Sequence, residues 1–146
     1  MDLILWRHAD AQDGYPDSAR ALTSRGREEA EKVGDWLARR LPPDAVILAS
    51  PAVRAQQTAE FIGRPFEAEP LVGVNASVRD VLTAAKWSDE SRTVVVVGHQ
   101  PTMGRLACVI LTDEAGDWPF EKAAAWWFSR TKHGVLLRAA ITPELV

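Results

Sequence analysis

The chain has 146 residues, 47% hydrophobic and 25% charged, with a formal charge of -3 at pH 7. That length supports one core and leaves no room for a second, so residues 1–146 are expected to form a single domain. The acidic balance gives no case for nucleic-acid binding, no stretch approaches the roughly 20 apolar residues of a membrane span, and a lone Cys108 cannot close an internal disulfide. Met1-Asp2 and the short apolar run behind it have neither the basic start nor the apolar length of a secretory signal, so a soluble cytoplasmic protein is expected.

Leu3-Ile4-Leu5-Trp6 is a continuous apolar run, the pattern of a strand buried on both faces, and it ends abruptly in Arg7-His8. Asp10 to Ser18 carries turn chemistry over a polar loop. A helix follows, capped by Thr23, with Ala30, Val33, Leu37 and Leu41 at helical spacing up to Pro42-Pro43. Val46 to Ala49 reads as a second buried strand, after which Ser50 as N-cap and Pro51 at the first position open a second helix that Gly63 ends. Phe66 to Leu71 is an edge-strand candidate flanked by prolines. Asn75 is the expected cap of a third helix, and Thr93 to Val97, with four consecutive valines, is the strongest strand in the chain. Gly98-His99 follows it, Pro101 opens a fourth helix, and Ala123–Phe128 and Val135–Ile141 pair around a turn at Lys132-His133-Gly134.

Alternating strands and helices imply a mostly parallel sheet with helices on both faces. Ligands of such sheets bind beyond the carboxyl ends of the strands. His8 follows the first strand, Arg54 lies where the second helix starts, and His99 follows the valine strand. All three are therefore aimed at one rim, and two of them are near helix N-termini, which favour anions. Two histidines and two arginines at one rim, with no adjacent acid pair and no glycine-rich phosphate loop, suit phosphoryl transfer. Guanidinium groups stabilise charge spread over the equatorial oxygens. Neutral imidazole is the nucleophile, fixed in one tautomer by a carbonyl, and a second, protonated histidine neutralises the transferred oxygens.

Arg7-His8-Ala9, Ser50-Pro51-Ala52-Val53-Arg54 through Ala59, and Val97-Gly98-His99-Gln100-Pro101 resemble the signatures of the histidine phosphatase superfamily, also called the phosphoglycerate-mutase-like fold. Leu22-Thr23-Ser24-Arg25-Gly26 is similar to a further element, and the small size and early loop look most like the compact SixA-type phosphohistidine phosphatases of bacteria. The resemblance implies an αβα sandwich, three layers around a mostly parallel central sheet. It also implies catalysis through a phosphohistidine on His8, with Arg7 and Arg54 binding the phosphoryl group and His99 completing the pocket. Arg20 matches a pocket arginine of that branch. No cofactor is implied. The expected partner is a phosphohistidine-bearing protein, or else a small phosphorylated substrate, with phosphate, vanadate or tungstate as pocket ligands.

The larger relatives carry an acidic proton donor between the second arginine and the second histidine. Here Glu67, Glu69, Asp80, Asp89 and Glu90 fall in that interval without a recognisable motif. An imidazole leaving group would need less help, which suits a P–N bond. A mutase, a small-molecule phosphomonoester phosphatase and a non-catalytic phosphoresidue-binding module are the competing readings. The three histidines lack the compact spacing and the Cys or acid partners of a zinc site, and His133 reads as an exposed turn residue.

Overall fold

The computed structural model describes residues 1–88 and 90–146. Leu3 to Trp6 and Val94 to Val97 are wholly buried, as their uninterrupted apolar runs require. Leu3 to Trp6 form the middle of β1 (Asp2–Arg7); β2 (Val46–Ala49) and β3 (Glu67–Ala68) follow in chain order, and Val94 to Val97 form the middle of the next strand. β4 (Thr93–Gly98) pairs in parallel with β1, Leu3 beside Val94 and Arg7 beside Gly98, and with β2, Ala49 beside Val97. β5 (Ala125–Thr131) runs antiparallel to β1, and β6 (Gly134–Ile141) antiparallel to β5. Among the described residues the sheet has six strands in the order β3-β2-β4-β1-β5-β6.

Each parallel connection carries a helix: α1 (Ser24–Ala38), α2 (Val53–Glu60) and α3 (Val78–Ala85), with α4 (Thr102–Thr112) after β4. Successive strand side chains point to opposite faces. Ile4, Trp6, Val95 and Val97 accordingly pack with Ala30, Val33 and Leu37 of α1 and with Ala55 and Ala59 of α2. Leu3, Leu5, Val94 and Val96 pack with Val81 and Ala85 of α3 and with Met103, Leu106 and Ala107 of α4. The result is the expected αβα sandwich. Each fully buried Leu, Ile or Val contributes about 1.5–3 kcal/mol, so the two apolar layers hold the sheet between them. Among the described residues no helix is long and apolar enough to cross a membrane.

Several element boundaries differ from the sequence expectation. The first helix stops at Ala38, and the backbone N–H groups of Arg40 and Leu41 both donate to Leu37, a tight turn that buries Leu41 without extending the helix into the prolines. The third helix is capped by Ser77, not Asn75: Ser77 and Asp80 exchange side-chain and backbone hydrogen bonds at 2.9 and 3.1 Å, a reciprocal box that Asn75 lies too early to form. The second helix begins at Val53, and Ser50 is not its N-cap.

Candidate active site

β1, β2 and β4 run in the same direction and end level with one another, so the residues that follow them meet at one rim. The β1–β4 register brings His8 abreast of His99. The His8 backbone N–H donates to the Gly98 carbonyl at 3.0 Å, and the two imidazole rings stand 5.1 Å apart between centroids. The turn after β1 is held from α2: the Ala9 N–H donates to Thr58 Oγ1 at 3.1 Å, and that hydroxyl donates to the Arg54 carbonyl at 2.7 Å. His8 Nδ1 lies 2.7 Å from the Ala9 carbonyl oxygen. A carbonyl only accepts, so Nδ1 carries the proton and the neutral ring leaves Nε2 with its lone pair.

Arg54 is 3% exposed. Its Nη1 donates to the Asp17 carbonyl at 2.9 Å and its Nη2 to Asp17 Oδ2 at 3.1 Å. The other Asp17 carboxylate oxygen accepts from Arg20 Nε at 3.0 Å, so one aspartate in the Asp17–Ala19 turn holds two arginines. Those two bonds, Arg54's first, keep the Asp17 carboxyl below its ordinary range and ionised at neutral pH. Arg7 donates through Nη1 to the Phe120 carbonyl at 2.8 Å. Arg7, His8, Arg20, Arg54, His99 and Lys122 all line one cavity of about 230 Å³. Among the described residues, Arg7 Nε, Arg54 Nε and His99 Nδ1 are buried side-chain atoms without a hydrogen-bond partner. Unpartnered buried donors of this kind are costly, and an oxyanion between them would satisfy them.

Burial pushes the His8 pKa down to about 3, with His99, Arg54 and Arg7 adding in the same direction against the bond to Ala9. Burial and Arg54 likewise push His99 down to about 4. The protein's own groups therefore hold both imidazoles neutral at pH 7, which corrects the expectation of a protonated second histidine. His99 still has a donor. Ser50 Oγ accepts from the Ala52 N–H at 3.2 Å and lies 2.8 Å from His99 Nε2; where the hydroxyl donates to Nε2, the ring proton stands on Nδ1, the atom without a partner among the described residues.

A family model described as the histidine phosphatase superfamily (branch 1) matches residues 3–73. The phosphohistidine phosphatase SixA of Escherichia coli is 31% identical over 127 residues, 78% of this chain and 76% of that protein. The chain belongs to the histidine phosphatase superfamily. An uncharacterized protein of Mycobacterium tuberculosis is 36% identical over 116 residues, 76% of this chain and 73% of its own length. Among solved structures, that of the protein histidine phosphatase SixA complexed with tungstate superimposes with a TM-score of 0.85, at 25% identity and 99% coverage of both chains. The family match ends before His99, which reaches the site of this phosphatase through the sheet register.

Arg7, His8, Arg20, Arg54 and His99, named from sequence, share the cavity. None of the described acids in the searched interval lines the cavity: Glu69 accepts from the Leu71 N–H, Asp80 caps α3, and Glu67 and Glu90 are exposed; Asp89 lies outside the described residues. Among the described residues no carboxylate lines the cavity. His133 is exposed at the tip of the β5–β6 hairpin, and no group of three His, Cys, Asp or Glu among the described residues is placed to hold a metal ion. Sequence reasoning missed Asp17, Ser50, Thr58 and Lys122. Ser50 carried a usable signal, because it follows β2 as His8 follows β1 and His99 follows β4. Thr58 lies one helical turn after Arg54.

Proposed function

We propose that this histidine phosphatase removes phosphoryl groups from histidine residues of a partner protein, with His8 as nucleophile, Arg7, Arg20 and Arg54 as ligands of the phosphoryl oxygens, and His99 as a further donor to them. The observation that carries this reading is the His8 ring. It is buried, neutral, tied through Nδ1 to Ala9, and has Nε2 available beside three guanidinium groups. In the first step the Nε2 lone pair forms a bond to phosphorus as the P–N bond of the substrate breaks and its electron pair leaves with the substrate imidazole. Positive charge develops on the His8 ring and strengthens the Nδ1–H bond to Ala9. In the second step water attacks phosphorus, the P–Nε2 bond breaks, and the water proton leaves with inorganic phosphate. The substrate ring, carrying a proton on its other nitrogen, departs as neutral imidazole and needs no further proton at the nitrogen that leaves phosphorus, unlike an alkoxide, which suits a cavity lined, among the described residues, by no carboxylic acid. The similarity to SixA over three quarters of both chains supports the same substrate class.

The test is phosphate release from a phosphohistidine-bearing protein and from an aryl phosphate ester, side by side, in wild type and His8→Ala. The expected result is faster turnover of phosphohistidine, lost in His8→Ala while circular dichroism stays unchanged. Preference for the ester would overturn the substrate assignment, and full activity of His8→Ala would overturn the mechanism.

A further inference from the structure

Lys122 belongs to none of the three signature blocks, yet it lines the His8 cavity together with Arg7, Arg20 and Arg54, from the segment leading into β5. Its backbone is unusually well fixed for a surface lysine. The Arg7 side chain donates to the Phe120 carbonyl, the Arg7 N–H to Ala124, and the Ala123 N–H lies 3.1 and 3.2 Å from the Arg7 and His8 carbonyls. Trp6 Nε1 also donates to the Ala123 carbonyl at 3.0 Å. The segment on either side of Lys122 is thus stitched to the end of β1, the strand that delivers His8. Glu121 to Ala124 closes a turn by an Ala124 N–H to Glu121 carbonyl bond. Ala123 sits in it at φ 61°, a left-handed conformation that such turns usually assign to glycine or asparagine. A buried alanine is held there only because its surroundings over-determine it.

The ammonium group has one ion-pair partner among the described residues, Asp10 Oδ1 at 2.8 Å, and the other Asp10 oxygen accepts from Thr23 Oγ1 at 2.9 Å. Lys122 is 48% and Asp10 33% exposed at the side chain, so water competes for both. Exposed pairs of this kind are weak and screened, so exchanging Asp10 for another anion is cheap. Lys122 and Arg7 are also the two residues common to the His8 cavity and a neighbouring cleft of about 480 Å³.

We propose that Lys122 is a further substrate-binding residue, whose ammonium leaves Asp10 to hold an oxygen of the phosphoryl group as it enters between Arg7 and His8. The inference rests on the phosphatase reading for its substrate, but oxyanion binding tests it independently of turnover. Asp10 is then a positioning residue: it parks the lysine at the mouth and competes with the substrate for it.

The experiment is a calorimetric titration of tungstate into wild type, K122M, K122R, D10N and D10N/K122M, with KM and kcat for phosphohistidine protein measured on the same set and thermal melting as the fold control. Loss of one charge-assisted contact should weaken tungstate binding in K122M by about tenfold and appear mainly in KM, with K122R restoring most of it. D10N, which keeps an acceptor for Thr23, should tighten tungstate binding only while Lys122 is present, so that D10N/K122M matches K122M. Wild-type affinity in K122M, or equal tightening by D10N with methionine at position 122, would overturn the proposal while leaving the phosphatase reading intact. A wild type that binds tungstate in a Lys122-dependent way but releases no phosphate from phosphohistidine would overturn the substrate reading and leave Lys122 as an oxyanion ligand.

Discussion

Mild acidification should destabilise the fold through the two site histidines alone. Both rings have folded-state pKa values below the ordinary 6.5, about 3 for His8 and about 4 for His99, so the unfolded chain binds more protons than the native one between those values and 6.5. Stability therefore rises with pH across that window and falls as the pH drops through it. Going from about pH 7 to about pH 5.5, each ring costs about 1.2 kcal/mol and the pair about 2.5 kcal/mol when they titrate independently. For a chain of this length that lowers Tm by about 5–10 °C. The carboxylates held below their ordinary range, Asp10, Asp17, Asp80 and Glu144, have reference values of 3.8 and 4.5, so their loss comes at lower pH. Melting curves by circular dichroism at closely spaced pH values, on wild type and on the His8→Asn/His99→Asn double variant, separate the contributions. A wild-type Tm that does not move between pH 7 and 5.5, or a fall of the same size in the double variant, would refute the assignment of buried, neutral rings.

Thr58→Val removes the acceptor of the buried Ala9 N–H and should cost about 1–3 kcal/mol by urea denaturation, with a fall in kcat because the His8 turn loses its tie to α2. Unchanged stability and kcat together would show that β1 alone positions His8. Asp17→Ala releases Arg54 and Arg20 from their shared carboxylate and should raise KM by about tenfold, read by steady-state phosphate release, and lower the melting temperature because the buried Arg54 guanidinium loses its counter-charge. Gly34→Ala tests the α1–α2 contact: the added Cβ would meet the Phe61 carbonyl oxygen at 2.6 Å, so a loss of about 1–3 kcal/mol is expected despite alanine's better helix propensity. A gain in stability would mean that the two helices part easily.

Asp17 and Asp10 divide a task along one loop. Both stand on the polar connection between β1 and α1, both are ionised by their partners, and neither lines the cavity. One holds Arg54 and Arg20, the other holds Lys122. Cations that would otherwise repel one another around His8 are kept at the rim by carboxylates placed just outside it.

What the chain reveals by itself is whatever is written locally. The Leu3 to Trp6 and Val94 to Val97 runs announce buried parallel strands, Thr23 is the N-cap that its position before Ser24 suggests, and Gly63 takes φ 73° where the second helix must end. The positions of Arg7, His8, Arg54 and His99 at strand ends and helix starts are legible for the same reason, since chain order fixes strand direction. The tertiary structure decided the rest because it concerns partners far apart in sequence. Ser50 satisfies the local rules for an N-cap, yet its hydroxyl is engaged by His99, 49 residues away. Asp17 looks like ordinary loop charge until Arg54 reaches it across 37 residues, and Lys122 until the end of β1 binds the turn that carries it. Strand register and side-chain hydrogen bonds across the sheet depend on how the apolar layers close, and no period or cap in the sequence encodes which polar atoms that closure brings within 3 Å.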